Sequence, residues 1–147
     1  MMEINKALVP DAVSVAIQVS DTGALQPSSD GWELVEDAAT PFGILELELV
    51  EFLKQDEEYV HGNIMRERAK SGLMLGERHA RALIEQQENI PEAWRKFYLV
   101  FPGTVWRNRD GGPRVPYLLW FGGGWGLGFH WLKYDFPRYA RFVSLRK

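Results

Sequence analysis

The chain has 147 residues, a formal net charge of −3 and 46% hydrophobic residues, which suits a single domain, residues 1–147, with one buried core. It contains no cysteine, which excludes disulfides, thiolate metal sites and a cysteine nucleophile. The first residues lack the basic and apolar regions of a signal peptide, so we expect a cytoplasmic protein.

Charge is distributed unevenly along the chain. Residues 1–60 have a net charge of −11, residues 61–92 are balanced, and residues 93–147 have a net charge of +8. We expect the acidic part to lie against the basic part and neutralise it. A basic segment rich in aromatic residues that binds nucleic acid is the alternative, because rings stack on bases and cations follow phosphates.

The N-terminal part, residues 1–60, is predicted to be rich in β-structure. From Val13 to Val19 apolar residues alternate with small or polar ones, the period of a half-buried strand. Glu46 and Glu48 share one face if residues 44–49 form a strand. The predicted elements are a strand at 13–19, a turn at 21–23, a loop at 26–31, strands at 32–36 and 44–49, and an acidic turn at 55–58.

Residues 61–97 are predicted to be helical. Asn63 is the expected N-cap of a helix over residues 64–71, and Gly72 is the expected residue that ends it. A second helix over residues 76–88 has an apolar stripe, with Glu77 and Arg81 outside it at helical spacing. A third, short helix is predicted over residues 89–97. A DNA-reading helix pair is the alternative, but the glutamates of the second helix disfavour it.

Residues 98–147 are predicted to form a basic, aromatic, antiparallel sheet. Fifteen of the nineteen aromatic residues lie between Trp94 and Phe142. The fold class is therefore α+β: a C-terminal meander covered by a helical hairpin and one short helix, and extended by the N-terminal strands. The expected register places Tyr117 opposite Phe129 and Trp120 opposite Gly126. The four strands of the meander are predicted at 98–107, 114–121, 125–132 and 139–145.

The stretch from residue 115 to residue 132 is uncharged and nearly long enough to span a membrane as a helix. It contains Pro116 and three consecutive glycines, and its bulky residues alternate with small ones, which favours strands. We therefore expect no membrane association.

A ligand-binding trough is predicted on one face of this sheet. Its floor would be Gly103, Gly126 and Gly128, because glycine inside a strand often marks close approach by a ring, a backbone or a ligand. Filling of this trough by the helices or the N-terminal strands is the alternative. The predicted ligand-binding residues are Trp120 and Phe101 as walls, with His130, Arg107 and Arg114 toward one end.

The motifs of common enzymes are absent from the sequence. It has no P-loop, no dinucleotide fingerprint and no Gly-x-Ser-x-Gly, and its three histidines are far apart, so we assign no catalytic residue, metal or cofactor. No known family is recognisable in these residues. The predicted function is a non-enzymatic binding or adaptor module that recognises a protein, or a copy of itself, through the apolar aromatic and glycine surface or the acidic N-terminal face. Nucleic-acid binding is the first alternative, and an enzyme without a local motif is the second.

Overall fold

A computed structural model of the chain describes residues 13–20, 31–38, 40–108 and 112–146. These residues contain ten strands, two α-helices and two short 3-10 helices. The strands are β1 Val15–Val19, β2 Glu33–Glu36, β3 Gly43–Glu51, β4 Tyr59–His61, β5 Tyr98–Val100, β6 Val105–Asn108, β7 Gly112–Phe121, β8 Gly124–Trp131, β9 Asp135–Pro137 and β10 Ala140–Leu145. The α-helices are α1 Gly62–Ala69 and α2 Glu77–Glu85, and the 3-10 helices span Gln87–Asn89 and Glu92–Lys96.

Eight of the described strands form one sheet in the order β1-β3-β10-β5-β7-β6-β2, with β8 paired to the other edge of β7. All its pairs are antiparallel except β5 with β10. Strands β4 and β9 form a separate pair. The predicted α+β class with a mostly antiparallel sheet is therefore confirmed. Strands β1 and β2 lie within the predicted ranges 13–19 and 32–36, whereas β3 contains the predicted range 44–49 and extends beyond it at both ends. The turn predicted at 21–23 and most of the loop at 26–31 lie outside the described residues.

The predicted four-stranded meander is wrong in its last strand. Strands β5 and β6 follow one another along one edge of β7, and β8 pairs with the other edge, as expected for the first three predicted strands. Strand β10 does not continue beside β8. It lies between β3 and β5, where neighbours hydrogen-bond to both of its edges and Val143 is buried. The local pattern could identify a strand here but not its neighbours.

The predicted register of the β7–β8 hairpin is wrong by one residue. Tyr117 lies opposite Gly128 and Trp120 lies opposite Trp125. The turn consists of Gly122 and Gly123 alone, both with positive φ (65° and 89°), which matches the two-residue turn preferred in twisted hairpins. The prediction gave the third glycine to the turn as well, and one extra residue moves every side chain of β8 to the other face.

The two α-helices begin and end differently from the prediction. The N-cap of α1 is His61, whose Nδ1 accepts a hydrogen bond from the Asn63 N–H at 3.1 Å, so Asn63 is not the cap. The C-cap of α1 is Lys70 in a right-handed conformation, so Gly72 is not a left-handed stop. In α2, the Gly76 N–H donates to His79 Nδ1 at 2.9 Å.

The predicted helical hairpin over one sheet face is not confirmed, because the helices belong to different apolar clusters. Met65 of α1 packs in a cluster with Val60 and Phe136. Leu83 of α2 packs in a second cluster with Leu118. Each helix therefore covers its own part of the sheet system.

Among the helices in the described ranges, none is long and apolar enough to cross a bilayer.

The acidic and basic parts of the chain pair with each other, as predicted. Acidic strand β2 pairs with β6, and β3 pairs with β10. Ion pairs follow these contacts: Arg107–Glu33 at 3.6 Å, Arg141–Glu51 at 3.5 Å and Arg146–Glu46 at 2.8 Å. Strand pairing therefore places these three arginines beside glutamates of the acidic part.

Candidate functional site

The residues predicted to line the trough do not all lie on one accessible face of the sheet. Phe101 is completely buried in the core cluster that contains Leu118. Trp120 packs against the same cluster, with the Arg95 guanidinium 3.8 Å from its ring centroid. His130 lies on the opposite face of the β7–β8 hairpin from Trp120, because the register differs by one residue from the predicted one.

The two arginines predicted to bind a ligand, Arg107 and Arg114, have different surroundings. Arg107 is exposed on β6 beside Glu33. The Arg114 guanidinium lies 3.6 Å from the ring centroid of Trp131 and 4.7 Å from that of Trp32, a cation–π sandwich. Arg114 shares a face with Trp120 but is six residues away along β7, about 20 Å. Whether Arg107 or Arg114 contacts a ligand stays a prediction.

A different cleft lies on the face of the hairpin that carries the glycines of β8. It is a shallow depression of about 470 Å³, lined by Tyr117, Leu119, Phe121 and residues 122–128. The rims are uneven because β7 contributes large side chains, of which Phe121 is 82% exposed, whereas β8 contributes Gly124, Gly126 and Gly128. We call this depression the glycine cleft.

The glycines of the cleft differ in what lies above them. A Cβ added at Gly126 would meet no atom within 4 Å, so this position is open. A Cβ added at Gly128 would lie 2.9 Å from Cε1 of Tyr117, whose ring covers this glycine. Gly128 therefore makes room for a ring of the protein itself, and Gly126 leaves room for a ligand.

The other end of the same hairpin face is closed by rings. Tyr98 lies 5.3 Å from Tyr117 and 4.9 Å from Tyr139 between ring centroids, and His130 lies 4.1 Å from Phe136. Burial, with a hydrogen bond to Tyr139, raises the pKa of Tyr98, and burial lowers the pKa of His130. Both shifts favour the neutral form of these two side chains.

The backbone of β8 presents hydrogen-bonding groups on its outer edge. The Leu132 N–H donates to the Pro113 carbonyl at 3.0 Å, whereas the Trp125 N–H donates away from β7, to Oε1 of Gln87 at 3.0 Å. Because inward and outward groups alternate in an antiparallel ladder, Leu127 and Phe129 also direct their N–H and C=O groups outward.

Four of these outward groups lack partners. In the part of the chain that the structure describes, β7 is the only strand beside β8, and no group hydrogen-bonds to the backbone N–H or C=O of Leu127 or Phe129. The next positions are occupied: Gln87 holds Trp125, and the Trp131 carbonyl accepts from the Tyr134 N–H at 3.2 Å.

Strand β8 also lacks the usual protection of an edge. Sheet edges are normally blunted by charged side chains or proline, which prevent pairing with another chain. Residues 124–131 contain neither. Strand β8 thus combines an uncharged edge, four backbone groups without a partner among the described residues, and an adjacent open cleft.

A buried polar network near α2 is the other concentration of ionisable groups. Glu77 and His79 are completely buried, although the sequence predicted Glu77 on the outside of its helix. Glu77 Oε1 accepts from the Trp106 indole N–H at 2.6 Å, and Oε2 accepts from Arg81 at 2.7 Å. The sequence gives only a weak signal for this burial, namely that the indole N–H of a buried Trp106 needs a hydrogen-bond acceptor.

The network is closed rather than open to a ligand. His79 Nδ1 accepts from Gly76, so Nε2 carries the proton and donates to the Pro41 carbonyl at 2.8 Å. Thr104 donates to Asp37 at 3.0 Å and accepts from the Glu77 N–H at 2.7 Å. With every polar atom of the Glu77 and His79 side chains bonded, the network fixes α2 to the neighbouring segments.

Metal binding gains no support from the described residues, in which no group of three or more His, Asp or Glu side chains is arranged to hold an ion. Strand β8 with the glycine cleft is therefore the candidate functional site. No protein-family model, no curated protein and no solved structure matches this chain.

Proposed function

We propose that this protein is a non-enzymatic binding module that takes up an extended segment of a protein as an additional strand on β8. The observation that carries the proposal is the set of four outward backbone groups of Leu127 and Phe129 on an uncharged edge strand. Addition of a strand to a free sheet edge is a recurrent mode of peptide recognition, in which main-chain bonds give affinity and alternate side chains give specificity.

Backbone bonds alone do not hold such a segment. Four of them contribute about 4 kcal/mol in total, at about 1 kcal/mol each, whereas association costs at least about 4 kcal/mol in lost freedom of motion. Side-chain burial must supply the remaining free energy. A large apolar partner therefore fits this site better than a polar one.

The glycine cleft explains which side chains the segment would present. On the cleft face, a bound strand has Gly124, Gly126 and Gly128 as its cross-strand neighbours. The Tyr117 ring already covers Gly128, but a large ring can lie across the open Gly126 without a clash. On the other face its neighbours are Leu127, Phe129 and the flanking tryptophans. The partner segment is thus expected to have large apolar residues on the face of Leu127 and Phe129, with space for a ring opposite Gly126 on the cleft face.

Nucleic-acid binding by the basic C-terminal part has less support. Arg107, Arg141 and Arg146 are paired with glutamates of β2 and β3, and the Arg114 guanidinium lies between two tryptophan rings. Phosphate contacts would compete with these internal partners.

The experiment compares Phe129→Pro with Phe129→Ala. Both lose the ring, which packs edge-on against Trp32 at 5.2 Å, but proline alone removes the outward N–H while leaving the β7 ladder bonds intact. Immobilised wild-type and variant proteins are incubated with native lysate, with and without nuclease treatment, and retained proteins are quantified by mass spectrometry. Folding is verified by near-UV circular dichroism.

The expected result is a set of proteins retained by wild-type and Phe129→Ala but lost from Phe129→Pro. Identical retention by the proline and alanine variants overturns the proposal, because the outward N–H is then not used. Loss of all partners on nuclease treatment, with the proline variant unaffected, favours the nucleic-acid alternative.

A further inference from the structure

Strand β8 is complementary to a copy of itself. In an antiparallel pair related by a two-fold axis, residue i lies opposite residue j of the copy, and residue j lies opposite residue i. An axis at Gly128 places Leu127 opposite Phe129 of the second copy, and Phe129 opposite Leu127. These are the two residues whose outward backbone groups have no partner among the described residues.

The position of the axis follows from the alternation of backbone groups. An axis between two residues would set an outward residue against an inward one, and no ladder forms. An axis at Leu127 would require the Trp125 N–H, which Gln87 already occupies. An axis at Phe129 would require the Trp131 carbonyl, which accepts from the Tyr134 N–H. Only the axis at Gly128 uses the four free groups and leaves the occupied ones untouched.

Side chains across this axis are compatible. On one face Leu127 meets Phe129 of the second copy twice, with Trp125 and Trp131 flanking them. On the cleft face the two Gly128 residues meet at the axis, so no side chain of β8 itself collides there, and residue 130 of one copy lies opposite the open Gly126 of the other. A charged residue at the axis would meet its own copy, but residues 124–131 carry no formal charge, so no like charges oppose each other along this strand.

We infer that the extended segment bound by β8 is the β8 strand of a second copy of this chain, so that two molecules form a symmetric dimer with a sheet continuous across the axis. This inference rests on the proposed function and names its partner. The paired edges then protect each other, which accounts for the absence of charge and proline from β8.

The first test measures self-association by sedimentation equilibrium over a range of concentrations. Wild-type protein is expected to dimerise. Phe129→Pro should weaken dimerisation roughly 30-fold or more relative to Phe129→Ala, since each molecule loses one donor and each lost hydrogen bond changes the constant about five-fold. Leu127→Pro and Leu127→Ala repeat the comparison in case the first pair folds poorly.

The second test traps the predicted register. With the axis at Gly128, residue 126 lies opposite residue 130 of the copy in a non-hydrogen-bonded pair, whose Cα atoms are about 4.5 Å apart, within reach of a disulfide. The chain has no cysteine of its own. The double variant Gly126→Cys/His130→Cys should form a covalent dimer on mild oxidation, seen by non-reducing electrophoresis. Gly126→Cys alone should not, because its two cysteines are about 14 Å apart.

The outcomes separate the inference from the proposed function. If wild-type protein stays monomeric at the highest concentration reached, the second-copy inference is overturned. If Phe129→Pro nevertheless loses the proteins retained from lysate, the proposed binding module is still supported. A dimer unchanged in both proline variants, or crosslinked equally by the single cysteine, shows another interface and overturns the inference. If the proline variants retain both the dimer and the partner proteins, the second-copy inference and the proposed function are both overturned.

Discussion

Substitution of two neighbouring glycines on β8 gives the sharpest test of the hairpin geometry. Both Gly126 and Gly128 have backbone conformations outside the positive-φ region, so alanine can adopt them. A Cβ at residue 126 meets no atom within 4 Å, whereas a Cβ at residue 128 meets the Tyr117 ring at 2.9 to 3.1 Å. The two variants are therefore matched in chemistry and differ only in what the added methyl group contacts.

The expected effects have opposite signs. Replacing glycine by alanine in a strand stabilises the fold by about 0.5 to 1 kcal/mol when space is available, because the unfolded chain loses freedom. Gly126→Ala should therefore raise the free energy of unfolding slightly. At residue 128, displacement of the Tyr117 ring costs about 1 to 3 kcal/mol and exceeds this gain. Gly128→Ala should thus be less stable than Gly126→Ala by about 2 kcal/mol.

The assay is urea unfolding followed by tryptophan fluorescence, with the same two substitutions repeated in a Tyr117→Ala background. Removing the ring should abolish the difference between residues 126 and 128, since the methyl group at residue 128 then has space. Equal stabilities in the wild-type background, or a difference that persists without the Tyr117 ring, would refute the observed register and with it the glycine cleft.

Two further predictions concern the buried network and pH. Glu77→Ala should destabilise the protein by about 1 to 3 kcal/mol in the same assay, because it leaves the buried Trp106 indole N–H unpaired, whereas Glu85→Ala on the exposed face should change it little. Burial lowers the pKa of His79 and His130 below the unfolded value of 6.5, so the unfolded chain binds more protons and stability should fall as the pH drops below about 6.5. The midpoint of urea unfolding should therefore fall between about pH 8 and about pH 5, and it should depend less steeply on pH in His79→Gln. A pH dependence unchanged by that substitution contradicts the assignment to His79.

The sequence by itself determined where most strands and the second helix lie. Large apolar residues alternate with small or polar ones in β1, and a strand with one buried face needs that period whatever its neighbours are. The contrast between the acidic and basic parts also predicted their association, because pairing of oppositely charged segments is electrostatically favourable. These are properties of local pattern or of total charge.

Only the tertiary structure decided which strands are neighbours and which faces are covered. The position of β10 between β3 and β5 depends on contacts with residues far away in the chain, to which the alternation within β10 gives no clue. Glu77 occupies a polar position on a helix, and its burial depends on the Trp106 indole supplied by another strand.

The candidate site shows the same division. The sequence predicted that the glycines of β8 mark a place of close approach, and the Tyr117 ring approaches Gly128 in this way, whereas Gly126 is open. It could not predict the rest, because one glycine more or less in the turn moves Trp120 and His130 to opposite faces. The free backbone edge of Leu127 and Phe129 has no signature in side-chain chemistry, since every residue carries the same N–H and C=O groups, and only the arrangement of strands leaves these four without a partner among the described residues.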